Sequence, residues 1–401
     1  MSGTLLGEAS ARVSHLMVAV GLTLLLVACS GMRGGDSYEG SSAPASTTAA
    51  PAGGAIGSGQ VKVGLILPLT AAGNAAVAAQ AMKNAAEMAM AEFNNPNIQL
   101  LVKDDAGTAP GAQLAAQQAM SEGAEIILGP LFAHSVGAAA QITRQRGVPI
   151  VAFSTDTNVA ASGVYLLSFL PESDVDRIVE YAMANGKHSF AALLPDNAYG
   201  NVVDGEFRQV VGRRGGRVVA LEHYGNDKAD LQDPAQRIAA AAREVDAIFL
   251  PEGADTLPSV VQTLAANGID PHRVQLLGTG VWDDARISNE AVLQGAWFAA
   301  PDSVGYRNFS ARYRHRFGQD PVRTATLAYD AVSLVAALVK TQGPQRFTPE
   351  VLTNPSGFSG IDGIFRFRPD GTNQRGLAVL RVAPSGPVVI SPAPRAFASG
   401  T

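Results

Sequence analysis

Cysteine is almost missing from this chain: among 401 residues there is one, Cys29. A single thiol excludes an internal disulfide and a cysteine-rich zinc site. The six histidines show neither H-x-x-x-H nor H-E-x-x-H spacing, so no metal and no cofactor is expected. Aromatic residues make up only 6% of the chain, with two tryptophans, so the core must be built from small side chains. A basic tract is absent, and 30 basic against 35 acidic residues give a net charge of -5, which gives no support to nucleic acid as a partner, and none is expected. No G-x-G-x-x-G follows the first strand, no Walker lysine motif occurs, and Ser135 and Ser154 lack a G-x-S-x-G setting. Those gaps argue against an enzyme. The longest apolar run, residues 16–28, has 13 positions and is too short for a hydrocarbon core of about 30 Å.

What that run does fit is the apolar region of an export signal, with Arg12 and His15 before it and small residues at its end. A signal over residues 1–28 is therefore expected. Leu26-Val27-Ala28-Cys29 resembles a bacterial lipoprotein box. That resemblance implies a lipidated Cys29 and a protein held to a membrane by its acyl chains. Ser30 behind it resembles the residue that permits sorting to the outer membrane. Residues 29–59 are rich in Gly, Ser, Ala, Thr and Pro and read as a flexible tether. Residues 386–401 read as a frayed tail.

From residue 60 the periodicity alternates. VKVGLIL at 61–67 is a near-continuous apolar strand closed by Pro68, and residues 75–93 carry Met82, Ala86, Ala89 and Phe93 on one helical face. Strands at 98–103, 125–128 and 148–153 are separated by helices at 113–122 and 135–146, the first closed by Gly123 and the second by Gly147. A second set of helices and strands runs over 175–278. The pair Asp104-Asp105 reads as solvated loop acids. Alternation of this kind predicts an α/β fold of two units, each a parallel sheet with helices on both faces.

The order of landmarks VKVGLILPLTAAG, LVKDDAG, ILGPLFAHS, RGVPIVAFSTD, DNAYG and FSGIDGIFRFRPDG resembles the type I periplasmic binding proteins, and in particular their branched-chain amino-acid branch. The resemblance covers about residues 60–385. It implies two lobes joined by three hinge crossings, with lobe one over 60–170 and 301–352 and lobe two over 171–300 and 353–385. It also implies a small solute held between the lobes and delivered to the permease subunits of an ABC importer. The segment GTGVWDD at 278–284, with the lipid box, is also similar to lipoproteins that activate penicillin-binding proteins by protein contact.

In the amino-acid binders one lobe holds the ligand carboxylate on hydroxyls and on backbone N–H groups at helix starts, where unsatisfied donors and partial positive charge meet. Here His134 and Ser135 enter a helix, and Ser154 and Thr155 follow a strand; the resemblance matches Ser135 and Thr155 to carboxylate contacts. Each hydroxyl also suits an ordinary cap or turn. Asn74 closes the loop after the first strand and either walls the cleft or caps the next helix. Tyr199 of DNAYG matches a tyrosine that covers the ligand. The acid that faces the ligand ammonium in that branch has no clean counterpart: Thr256 stands nearest its place, with Glu252 and Asp255 close by. Glu252 or Asp283 is the expected cation partner, and Trp282 either stacks on the ligand or buries near the hinge.

Overall fold

The computed structural model describes residues 54–94, 96–225 and 228–397. The expected signal, Cys29 and most of the tether lie outside the described residues.

The first sheet is built around the apolar run read above. Its strands are β1 (Gly54–Ile56), β2 (Val61–Leu67), β3 (Ile98–Asp104), β4 (Ile126–Leu128), β5 (Ile150–Ala152) and β6 (Val164–Leu166), in the order β1-β3-β2-β4-β5-β6. All neighbours are parallel except β1, which runs antiparallel along β3. Strand β2 is buried on both faces, as a central parallel strand must be. Helices α1 (Asn74–Glu92), α2 (Ala109–Ser121) and α3 (Ala133–Thr143) cover it. Alanine lets the helices come close. Gly64 goes further, since a Cβ there would meet Ile127 Cδ1 at 2.5 Å and Ala119 Cβ at 3.0 Å.

The second sheet runs β8-β7-β9-β10-β11 in parallel, from β7 (Ser189–Pro195), β8 (Arg217–Tyr224), β9 (Ala247–Phe249), β10 (Gln275–Gly278) and β11 (Trp297–Ala300). Helices α4 (Pro171–Ala184), α5 (Ala198–Arg213), α6 (Gln232–Ala240), α7 (Leu257–Ala266) and the short α8 (Ala285–Ser288) flank it. The chain then returns to the first lobe with α9 (Ser303–Phe317), α10 (Ala325–Thr341) and the short α11 (Pro349–Leu352). Helix α1 decides that placement. Its Met82, Ala86 and Ala89 share a cluster with Leu327, Val332 and Val335 of α10, while its Ala81, Ala85 and Met88 pack on Phe309 and Tyr313 of α9. Each of the larger side chains among these, once buried, contributes roughly 1.5–3 kcal/mol, and each alanine methyl about 0.8 kcal/mol.

The last strands divide. Strands β12 (Phe358–Gly360), β13 (Gly363–Phe367) and β14 (Asn373–Arg375) form a separate antiparallel sheet, and Phe365 and Phe367 sit in the first-lobe core, with Phe367 5.4 Å from Tyr165. The sequence reading placed residues 353–385 in the second lobe; the aromatic pair pulls these three strands to the first. Strands β15 (Ala378–Arg381) and β16 (Val388–Ser391) do join the second sheet, antiparallel, beside β11. Strand β16 falls within the expected tail and β1 within the expected tether, because both gain a ladder of hydrogen bonds at a sheet edge.

Crossings between the lobes follow β6, β11 and β14. Two are tied together: Asn373 Nδ2 donates to the carbonyls of Leu166 (2.7 Å) and Ser168 (2.9 Å), and Arg375 Nε donates to Ser168 O at 2.9 Å.

Candidate functional site

In both lobes the loops that follow the parallel strands hold the expected site residues, where open α/β sheets place their ligands. In the first lobe two loops are joined by an acid. Thr70, after β2, donates its hydroxyl to Asp104 Oδ2 at 2.5 Å and its N–H to Oδ1 at 3.2 Å. Asp105 is not a solvated acid as expected. It is fully buried, its Oδ1 accepts from Gly107 N at 3.0 Å, and dehydration raises its pKa against the pull of that bond.

Helix α3 begins at Ala133, and its N-cap, Phe132, supplies no side-chain acceptor. The first-turn N–H groups of Ala133 and His134 are therefore available to an anion. His134 is exposed; its ring stacks on Phe132 with centroids 5.6 Å apart, and its Nε2 lies 2.9 Å from Gly107 O. A carbonyl only accepts, so Nε2 carries a proton. Ser135 is a different case. It is fully buried, and its Oγ donates to Thr108 O at 3.4 Å, locking α3 to the cap of α2.

Ser154 is also taken: nearly buried, it accepts from Asp156 N at 3.1 Å in a local turn. Thr155 beside it is exposed and bound to no side chain among the described residues. Asn74 is exposed as the first residue of α1.

In the second lobe Tyr199 stands in the first turn of α5. Asn197 caps that helix by accepting from Gly200 N at 2.8 Å, and a Cβ on Gly200 would strike Pro195 O at 1.8 Å. The Tyr199 hydroxyl lies 2.7 Å from Oγ1 of the fully buried Thr279. Burial, and after it Asp174, pushes the Tyr199 phenol well above its usual range, so it stays neutral.

Glu252 is engaged. Its Oε1 accepts from Gly253 N at 2.9 Å and its Oε2 from the Tyr224 hydroxyl. Asp255 pairs with Arg286 at 2.5 Å. Asp283 is solvent-exposed yet crowded by protein; dehydration raises its pKa, and Arg323 and Arg307 of the returning segment oppose that. By contrast Asp196, which follows β7, is exposed and bound to no side chain among the described residues.

Trp282 neither stacks on a ligand nor sits in the hinge. It is fully buried in the second-lobe core, 6.2 Å from Phe298, and lies flat on Gly278, where a Cβ would meet the indole at 2.2 Å. The next turn is held differently: Gly280 N donates to Asp174 Oδ2 at 2.9 Å. Burial is the main cause that lifts Asp174 to about 7. Thr70, Asp174, Asp196 and Thr279 were not singled out from sequence, and Asp104 was read only as a solvated loop acid. Thr279 lay in the GTGVWDD loop, and only its burial beside Tyr199 gives it a part.

The family model described as periplasmic binding protein matches residues 60–387. No curated protein matches the chain significantly. Among solved structures, a putative branched-chain amino acid ABC transporter protein of Rhodospirillum rubrum is 22% identical, with a TM-score of 0.73, over 82% of this chain and 99% of that one. A solute binding protein of an ABC transporter from Rhodopseudomonas palustris, solved with 3,4-dihydroxy benzoic acid, is 24% identical, with a TM-score of 0.58, over 83% and 96%. An ABC transporter substrate-binding protein of Desulfitobacterium hafniense, in complex with Leu, is 19% identical, with a TM-score of 0.61, over 82% and 99%. These likenesses carry the fold, and the family match carries the class: a binding protein of the cell envelope, not an enzyme. Among the described residues no helix is long and apolar enough to cross a membrane. With two helix-flanked parallel sheets joined by three crossings, and a family model spanning nearly all of them, the chain belongs to the periplasmic binding protein family.

Proposed function

We propose that the chain is the solute-binding lipoprotein of an ABC importer, anchored through Cys29 to the outer membrane, and that it takes a small organic carboxylate, an amino acid included, between its lobes. The observation that carries this reading is the uncapped start of α3 together with the open Thr155 hydroxyl, on the loops that follow the neighbouring strands β4 and β5. Two N–H groups and the Thr155 hydroxyl then surround one carboxylate. Tyr199 and Asn74 close over the rest of the solute, the Tyr199 hydroxyl being held by the buried Thr279. For an amino acid, Asp196 or Asp283 meets the ammonium, since Glu252 is consumed by Tyr224 and Gly253. Leucine and 3,4-dihydroxy benzoic acid, held by two of the similar proteins, are both carboxylates.

A thermal-shift screen of the full chain against amino acids and other organic acids tests the proposal, because a ligand bound only by the folded state raises the melting temperature. A saturable shift that Thr155→Val abolishes supports it. No shift across the panel, from folded and ligand-free protein, rejects it and turns attention to a penicillin-binding protein as partner.

A further inference from the structure

A second cavity lies on the flank of the hinge; of the strand-end loops that carry the proposed solute contacts it touches only the one after β5, at Thr157. Its volume is about 970 Å³, the size of a small-molecule or short-peptide pocket. One wall is the outer face of α4 and α5, with Glu172, Asp176, Glu180 and Glu206 against Arg177 and Arg213. The facing wall is the β13–β14 turn, with Arg366, Arg368 and Arg375 against Asp370. One side is thus net negative and the other net positive.

Both walls are set before any ligand arrives. Asn373 and Arg375 at the floor are fixed on the crossing after β6 by their bonds to the carbonyls of Leu166 and Ser168. One end is closed by Phe397, whose ring lies 4.6 Å from the Arg366 guanidinium. Within the acidic wall, Asp176 is held by Arg213 at 3.2 Å and Arg214 at 3.0 Å, and Glu180 by Arg177 at 3.2 Å. Among the described residues Glu206 has a loose pair with Arg213 at 3.9 Å and Glu172 has the Thr157 hydroxyl at 3.2 Å. Across the groove Arg368 is exposed and bound to no side chain among the described residues. Arg368 is nonetheless near enough to lower the pKa of Glu206, which burial otherwise raises.

We propose that this groove is a second ligand site, for a short peptide with free ends: its carboxylate on Arg368 and Arg366, its ammonium on Glu206 and Glu172. An extended tripeptide spans about 10 Å, at roughly 3.3–3.6 Å per residue, and carries its two charges at opposite ends, as the two walls do. The walls belong to different lobes. A bound peptide ties β13–β14 to α4–α5, fixes the angle between lobes, and so adjusts affinity in the strand-end site by linkage.

The test is isothermal titration of the full chain in detergent with free trialanine, N-acetyl-trialanine and trialanine amide. Saturable binding of trialanine, at least tenfold weaker when either end is capped and at least tenfold weaker in Arg368→Glu and in Glu206→Gln, is expected. Both substituted residues lie at the surface of the groove, and unchanged melting temperatures show that the variants fold. No binding of millimolar trialanine by folded protein overturns the proposal. So does binding that the groove variants leave intact, or that Thr155→Val abolishes, which moves the peptide to the strand-end site.

Discussion

Asp330 on α10 offers the sharpest test of the electrostatics at the hinge. Its side chain is 3% exposed. Oδ1 accepts from Ile361 N at 2.8 Å, while Oδ2 is buried against Gly360 with no hydrogen-bond donor among the described residues. Dehydration lifts its pKa from 3.8 to about 7, against the bond from Ile361 and the nearby Arg375 and Arg323, with Asp362 adding to the rise. The folded state therefore keeps a proton that the unfolded chain gives up above about pH 4. Stability is greatest below the unfolded pKa and is lost as pH rises towards the folded one, at about 1.4 kcal/mol per pH unit. From pH 5 to 8 the loss from this one group is about 3 kcal/mol. Asn keeps the acceptor for Ile361 and cannot ionise. Urea unfolding of the parent and Asp330→Asn at pH 5, 6, 7 and 8, at one ionic strength, should therefore diverge with pH, the variant gaining by about 3 kcal/mol across the range. Parallel curves, with a gap that does not change with pH, would refute a neutral buried Asp330.

Other substitutions separate packing from binding. Trp282→Ala should cost about 3–5 kcal/mol in denaturant unfolding, since it empties a fully buried indole site; a loss of solute affinity at unchanged stability would contradict the core placement. Ser135→Ala should lower stability by about 1 kcal/mol or less, its bond being long, and leave solute affinity alone. Thr155→Val should do the reverse, weakening solute binding by roughly 1–3 kcal/mol in calorimetry without moving the melting temperature of the free protein. Tyr199→Phe should cost about 1 kcal/mol of stability by stranding the buried Thr279 hydroxyl, read by urea unfolding.

Long apolar strands and Gly-terminated helices were legible in the sequence; helix starts were not. Helix α2 was expected from 113 and begins at Ala109, capped by Thr108, and the second set of elements, expected from 175, opens with α4 at Pro171. In each the first turn carries little apolar periodicity, and the signal lay in a cap residue or a proline instead. Strand β6 went unread because three residues have no period to detect. The site was less legible than the fold. Ser135 and Ser154 sit where hydroxyl donors were expected, but which face of a turn meets solvent depends on packing 27 residues away, at Thr108. Trp282 shows the same limit: Gly278 receives its ring, and no sequence spacing distinguishes that pocket from an open cleft. The pairing of Thr70 with Asp104 joins residues 34 apart and exists only once β2 and β3 lie side by side.

The family match ends inside the sheets. Strand β1, Gly54–Ile56, precedes its first residue, 60, and β16, Val388–Ser391, follows its last, 387. Each covers the edge of its sheet, β1 over β3 and β16 over β15. A fragment trimmed to 60–387 would leave both ladders with open N–H and C=O groups, and such edges recruit strands from other molecules. Protein cut at those family boundaries should self-associate and precipitate where the longer chain stays dispersed, so expression trials need to keep residues 54–391.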